Sequence, residues 1–311
     1  PDGSLLATGA DDAVVVVTRV ADGAIVRRLV GLGGKVRAVT WDLEGRRLAA
    51  SSVGGDVRSW NLAESGRLTE WAGFNTHDGS GMVFSRDGAS LAVSNPDDSV
   101  TLIPIADPER RRRIDGIFHP LAFDGDQRLI GYDHAGRGVR VSTRPPFAVE
   151  RGVSLVPKTN SVLEISAAVA TGPDHQWILA AGTDGSERLW NGYAGQLVWS
   201  DVVQLPEARP SNPGLVSSAR DVDRAIVAHR WGQIRILDTS ANPAGSRIVF
   251  ETSTFDRLHA AFISPDGQWY AVANDAGRTG VAKVGKAPGR DVIVSSAEIY
   301  SMAFVRRGNR L

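Results

Sequence analysis

The chain contains no cysteine, which excludes disulfides and every thiolate-held metal site. That fits a reducing compartment, and the cytoplasm is the expected location. Net charge is missing as well: Lys+Arg and Asp+Glu both number 35, so the formal charge is zero. Nucleic acid and anionic membrane surfaces both select clustered positive charge, so neither is an expected partner. No unbroken apolar run reaches membrane-spanning length and no signal-peptide pattern is found in these residues, so membrane insertion is not expected. Long helical periodicity is absent too. In its place stand 34 glycines among short hydrophobic runs, the mark of many strands joined by tight turns. The chain opens at Pro1-Asp2-Gly3 without an initiator Met and stops at Gly308-Asn309-Arg310-Leu311 in mid-pattern. It is therefore expected to belong to a longer multidomain polypeptide.

A turn signal recurs after short hydrophobic strands: Pro1-Asp2-Gly3, Asp42-Leu43-Glu44-Gly45, Arg86-Asp87-Gly88, Pro265-Asp266-Gly267 and Arg306-Arg307-Gly308. From Gly3 to Gly45 is 42 residues, from Gly45 to Gly88 is 43, and from Gly267 to Gly308 is 41. The interval of 179 residues between Gly88 and Gly267 divides into four units of about 45, which makes seven units in all. Within a unit, strand a precedes the turn (Val36 to Trp41, Ala260 to Ser264) and strand b follows it (Leu48 to Ser52). A Gly/Asp/Asn turn leads to strand c (Val57 to Asn61), and a Gly-led strand d closes the unit (Gly195 to Trp199). Units four (Pro120 to Leu155) and six (Gly214 to Thr254) have lost most of these residues and are placed by spacing and strand pattern.

The ends complete the argument. The N-terminal unit supplies only strands b, c and d (Leu5–Gly9, Val14–Arg19, Ile25–Leu29), and the C-terminus supplies an orphan strand a, Ile299–Phe304. The expectation for residues 1–311 is therefore a single all-β domain: a seven-bladed β-propeller of four-stranded antiparallel blades. Its ring closes when the C-terminal strand pairs with the N-terminal blade, which removes an exposed edge.

These residues resemble WD40 repeats. Unit five is most similar, with Ala181-Gly182-Thr183-Asp184-Gly185-Ser186-Glu187-Arg188-Leu189-Trp190-Asn191. Unit two gives Ser51-Ser52-Val53-Gly54-Gly55-Asp56-Val57-Arg58-Ser59-Trp60-Asn61, and unit six keeps Ile234-Arg235-Ile236-Leu237-Asp238. The Gly-His pair that precedes strand a in the family is missing throughout, so its buried Asp–His–Ser/Thr–Trp network cannot form whole; Asp184 and Trp190 are left to keep half of it. The resemblance implies a scaffold or recognition module that binds a protein or peptide across one end of the ring. It also implies that a bacterial-looking chain of this kind follows a signalling NTPase, kinase or protease-like domain.

Candidate residues follow from position. The b–c turns gather at one end of the ring: Asp11-Asp12, Gly54-Gly55-Asp56, Asp97-Asp98, Asp133-His134, Asp184-Gly185, Arg230-Trp231-Gly232 and Asp275-Ala276-Gly277. Their carboxylates are read as turn caps rather than a metal rim. Arg230 and Trp231 have no obvious duty in a turn and belong to residue types enriched at binding hot spots, so they are the candidate partner contacts, with His134 beside them. Trp60, Trp190 and Asp184 are expected to be structural. The six histidines show no paired metal-ligand spacing and are expected on loops, exposed or hydrogen-bonded. The run Arg110-Arg111-Arg112-Arg113 is read as a solvated edge that resists strand addition.

The competing class is an enzymatic or cofactor-binding propeller. Quinoprotein-type blades end Gly-x-x-x-Trp, as Gly195-Gln196-Leu197-Val198-Trp199 does, but the segment from Gly66 to Trp71 is one residue too long. Lactonase-like propellers need acids, Asn or His around the channel mouth, where the strand-a segments here offer mainly Val, Ala, Ser, Thr and Phe. No catalytic triad or paired-carboxylate constellation can be argued from spacing. No catalytic activity, cofactor or metal is therefore expected of this domain.

Overall fold

The computed structural model describes residues 4–42, 44–62, 67–71, 81–95, 97, 99–124, 128–133, 137–144, 148–154, 165–171, 177–182, 185–191, 196–203, 214–219, 222–240, 248–253, 257–274, 276–287, 291–293 and 299–304. They form seven four-stranded antiparallel sheets. Blade 1 contains β1 (Leu5–Ala10), β2 (Val15–Arg19) and β3 (Ile25–Leu29). Blade 2 is β4 (Val36–Trp41), β5 (Arg47–Ser52), β6 (Val57–Asn61) and β7 (Arg67–Trp71). Blade 3 is β8 (Met82–Phe84), β9 (Ser90–Ser94), β10 (Ser99–Pro104) and β11 (Arg112–Asp115). Blade 4 is β12 (His119–Asp124), β13 (Arg128–Tyr132), β14 (Arg137–Ser142) and β15 (Val149–Ser154). Blade 5 is β16 (Ile165–Thr171), β17 (Trp177–Gly182), β18 (Ser186–Asn191) and β19 (Gln196–Val202). Blade 6 is β20 (Gly214–Ser218), β21 (Arg224–His229), β22 (Gln233–Asp238) and β23 (Ile248–Ser253). Blade 7 is β24 (Leu258–Ile263), β25 (Trp269–Asn274), β26 (Arg278–Lys283) and β27 (Asp291–Ile293). The last strand, β28 (Ile299–Phe304), completes blade 1 in the order β28-β1-β2-β3. Blades 4 and 6, which spacing and strand pattern had placed, are as complete as the others.

The recurrent a–b turn has one chemistry. In blade 3 the Ser85 hydroxyl donates to Asp87 Oδ1 at 2.6 Å, the same oxygen accepts the Ala89 N–H at 2.9 Å, and Ser85 Oγ accepts the Ser90 N–H at 2.9 Å. Blade 7 repeats it: Ser264 donates to Asp266 at 2.5 Å, Asp266 accepts from Gln268 at 3.0 Å, and Ser264 accepts from Trp269 at 2.9 Å. Gly88 and Gly267 sit at φ +67° and +66°, a left-handed conformation that side chains with a Cβ resist. The glycine repeat in the sequence is therefore a backbone requirement. Blade 2 uses Asp42 in place of the serine, its Oδ1 accepting the Arg46 N–H at 2.8 Å.

Strand b is small and inward. Ala7, Ala49, Ala50, Leu91, Ala92, Leu129, Leu179, Ala181, Ala225, Ala228, Ala271 and Ala273 are fully buried, because both faces of each inner sheet lie against neighbouring blades. Polar stitches join the blades near the opposite ends of these sheets. The first residue of strand b reaches the a–b turn of the next blade: Arg47 donates to the Gly88 carbonyl at 3.3 Å, and Arg224 to the Gly267 carbonyl at 3.0 Å.

Closure is made twice over. Within the sheet, Leu6, Ala7, Thr8 and Gly9 oppose Phe304, Ala303, Met302 and Ser301, as the orphan strand had implied. Across the seam to blade 2, Ser301 Oγ accepts the Val39 N–H at 3.0 Å, and the Trp41 indole N–H donates to the Ala303 carbonyl at 3.0 Å. Ile299 and Met302 are fully buried. Removing residues 299–311 strips β1 of its partner and blade 2 of two hydrogen-bond partners. A truncated chain is expected to lose cooperative unfolding in urea and to self-associate on size exclusion; an unchanged midpoint would mean that this pairing does not hold the ring.

Burial pushes the Asp42 carboxyl above its ordinary 3.8, against hydrogen bonds from the Arg47 and Arg46 backbone that lower it. A raised folded value means that the fold prefers the protonated acid, so Asp42 weakens stability as pH rises from about 3.8 through that value. Asp42→Asn keeps the acceptor for Arg46 without the charge. Urea midpoints are expected to match wild type at pH 3 and to exceed it at pH 7.

Candidate functional site

The b–c turns at one end of the ring are built mainly from caps. Asp12 Oδ1 accepts the Val14 N–H at 3.1 Å, and Asn274 Oδ1 accepts those of Ala276 and Arg278, each at 3.1 Å. Asp97 accepts the Ser99 hydroxyl at 2.5 Å and the Arg113 guanidinium at 2.6 Å, and these bonds hold its carboxyl below the usual range. Asp56 accepts the Gly33 N–H at 2.8 Å, so a backbone donor from the preceding loop meets this turn carboxylate. Among the described residues no group of three His, Asp or Glu could hold a metal. His134 and Asp184, like Asp98 and Asp275, lie outside the described residues.

The turns of blades 1 and 2 are tied together. Lys35 pairs with Asp11 across the seam, and the Val53 N–H donates to the Lys35 carbonyl at 2.9 Å. Val30 and Val53 stand exposed beside this loop. The arginine run is largely neutralised locally: Arg110 meets Asp107 at 3.0 Å, and Arg113 meets Asp97 and Asp115 at 2.6 and 2.7 Å.

Arg230 and Trp231 occupy the turn of blade 6, and both are half-buried. The Gly232 N–H closes the turn onto the His229 carbonyl at 2.8 Å, with Gly232 at φ +96°. The Leu258 N–H of blade 7 donates to the Arg230 carbonyl at 2.8 Å. This pair is thus carried on a turn anchored to its own blade and to the next, with the Trp231 indole nitrogen shielded from solvent.

The structure overturns the expected loop placement for three histidines: His119 opens β12, His259 lies in β24, and the third is buried. His229 is not on a loop: it is the last residue of β21, has no exposed surface, and its Nε2 lies 2.8 Å from Oε1 of the equally buried Glu187 on β18. Arg235 of β22 reaches Glu187 Oε2 at 3.4 Å, Asp201 at 3.0 Å and Glu251 at 3.2 Å. One guanidinium therefore gathers three carboxylates along the seam between blades 5 and 6, the outer two about half exposed. Sequence reasoning missed this cluster. The signal was a glutamate inside strand c, Ser186-Glu187-Arg188-Leu189, at a position that is apolar in units two and six.

Trp60 and Trp190 are buried at 3% and 7% exposure. Trp190 packs with Ile130, Tyr132 and Ile178 between blades 4 and 5. Tyr132 in turn stacks on His119 at 5.3 Å, and burial pushes its phenol up to about 12. The indole N–H of Trp190 finds no acceptor among the described residues, against the expectation that it would be paired. The neighbouring strand β17, Trp177-Ile178-Leu179-Ala180-Ala181-Gly182, carries no side-chain hydroxyl or carboxylate to accept it.

This architecture is a closed ring of antiparallel blades with loops at the ends, a β-propeller. Its fold is that of the WD40-repeat propellers. The solved structure of U3-55K superposes with a TM-score of 0.70 at 13% identity, covering 98% of this chain and 93% of that one. The C-terminal WD40 domain of Sif2 gives 0.62 at 19% identity, covering 97% and 83%. The human echinoderm microtubule-associated protein-like 2 is 25% identical over 268 residues, 81% of this chain. The chain spans only 38% of the length of that relative. No family model matches the sequence.

The unpaired indole predicts how Trp190 tolerates change. Trp190→Ala is expected to lose about 3–5 kcal/mol, the range for deleting a buried large aromatic. Trp190→Phe forfeits no hydrogen bond and keeps most of the packing, so its loss is expected to stay below about 2 kcal/mol. Denaturant melts of both variants check this; equal losses would reveal a bond to the indole.

Proposed function

We propose that this domain is a recognition module that binds a protein or peptide across the end of the ring where the b–c turns gather. The observation that carries the reading is the blade 6 turn: a Trp and an Arg side by side, partly exposed, on a backbone fixed at the Arg230 carbonyl and at Gly232. Inner strands turn both faces to neighbouring blades, so the loop ends are the surfaces left for recognition. A preorganised turn spares a partner the ordering entropy that a mobile loop would cost. A ring fold by itself assigns no chemistry, and the support from relatives is at the level of class. The curated relative is named for association with microtubules, a protein assembly.

Arg230 and Trp231 are proposed contacts, and His134 a neighbouring one. The test begins with a partner captured on the immobilised domain and then purified, so that its affinity can be measured by titration. Trp231→Ala and Arg230→Ala, each with an unchanged melting midpoint, are expected to weaken Kd by about 30-fold, equivalent to about 2 kcal/mol. Equal affinity for both variants removes this turn from the interface. Metal- or cofactor-dependent turnover by the purified domain would replace the binding reading with an enzymatic one.

A further inference from the structure

Strand register lets the seven blades be compared position by position. Glu187 opposes Ala181, and the equivalent pairs are Val15 with Gly9, Val57 with Ser51, Val100 with Ser94, Gly138 with Tyr132, Ile234 with Ala228 and Thr279 with Ala273. All seven residues on strand c are buried. Five are Val, Ile or Thr and the sixth is Gly138, and only blade 5 places a carboxylate there. The next residue along strand b gives the second exception. His229 corresponds to Ala10, Ser52, Asn95, Asp133, Gly182 and Asn274, so the only histidine at this position lies in the blade that faces the only glutamate.

Such a pair is a poor way to gain stability. Two ionisable groups are taken fully out of water, and apolar residues of similar volume commonly serve as well or better at such sites. His229 Nδ1 is buried with no partner among the described residues, a further penalty that a valine–serine pair would not carry. What the bond does supply is direction. An apolar seam can slide by a fraction of an ångström, whereas a hydrogen bond between two buried side chains has one distance and one orientation.

The placement of that bond decides what it fixes. His229 ends β21 and its carbonyl accepts the Gly232 N–H, so the residue pinned by Glu187 is also the base of the Arg230–Trp231 turn. At the other side of the turn, Arg235 on β22 is held by Glu187, Asp201 and Glu251. The packed strands β16, β17 and β20 contribute no ionisable side chain, and β24 contributes His259 alone.

We infer that Glu187 and His229 are positioning residues: their bond across the seam between blades 5 and 6 sets where the Arg230–Trp231 turn sits. The inference rests on the reading of that turn as a binding element. Its readout, however, needs no partner. Blade 5 thereby holds one end of the turn and blade 7 the other, through Leu258.

The experiment uses the full chain labelled with ¹⁵N at tryptophan and histidine. The Trp231 indole resonance is assigned by its loss in Trp231→Phe. The double variant Glu187→Val/His229→Ser rebuilds the seam in the style of Val15 and Ser52 at the seam between blades 1 and 2. It is expected to melt cooperatively at a midpoint at or above that of wild type, while the Trp231 resonance moves by about 0.1 ppm or more and those of Trp41, Trp60 and Trp269 stay in place. Glu187→Gln keeps an acceptor for His229 and is expected to leave Trp231 at its wild-type position. In wild type, the His229 Nε2–H is expected to exchange slowly with solvent. A Trp231 signal that does not move in the folded double variant overturns the inference, as does a His229 Nε2–H that exchanges as fast as that of an exposed histidine. If Trp231 moves but partner affinity does not change, the positioning stands and the binding role of the turn falls.

Discussion

A β-sheet that is apolar on both faces must be covered on both, and every other feature of this molecule answers to that requirement. Four strands carry too little surface to fold alone. Each blade therefore depends on two neighbours, and a row of blades never satisfies its first and last members unless it bends into a ring. The small residues of strand b, such as Ala49, Ala50, Ala271 and Ala273, let adjacent sheets approach closely near the centre. Polar groups then appear where they adjust the approach: Arg47 and Arg224 at the a–b turns, and Ser301 and Trp41 at the closing seam.

The seams are chemically unequal. The blade 1–2 seam is predominantly apolar, with Val15, Val17, Leu29, Val36, Val39, Trp41 and Trp60 in one cluster. The blade 5–6 seam has an apolar interior of Leu179, Leu189, Val227 and Leu237, yet also takes in His229, Glu187 and Arg235. A repeat protein whose modules differ at one interface has spent its symmetry at that place. The variation falls beneath the turn whose side chains also depart from the Asp/Gly/Asn pattern of the others.

Most of the architecture was legible in the sequence because it follows from backbone rules. A glycine at positive φ cannot be replaced cheaply, so Gly45, Gly88 and Gly267 mark the period even where strands vary. The unmatched strand at each terminus was equally readable, since an edge must be paired. The candidate site was legible only in part. Arg230 and Trp231 were visible as residues out of place in a turn. Glu187 and His229 were not, because each is unremarkable within its own unit and exceptional only when seven registers are aligned, two of them in units that have lost their consensus. The missing partner of the Trp190 indole was hidden for the opposite reason. A resemblance implied a network, and β17 beside Trp190 carries no side-chain acceptor to complete it.

Ring closure also has a consequence in time. Val39 and Ser301 are bonded across 262 residues of chain, and β1 waits for β28. On a ribosome, the first strands of the ring emerge with an open edge and must keep it unpaired while six further blades are still being made. At roughly 5–20 residues per second that interval lasts on the order of 15–60 seconds. Thr8 and Gly9, short and poorly suited to lateral sticking, lie along that waiting edge. The last strand of the ring to be made is thus the one that converts a stack of dependent sheets into a finished domain, and the pace of synthesis becomes part of the folding mechanism.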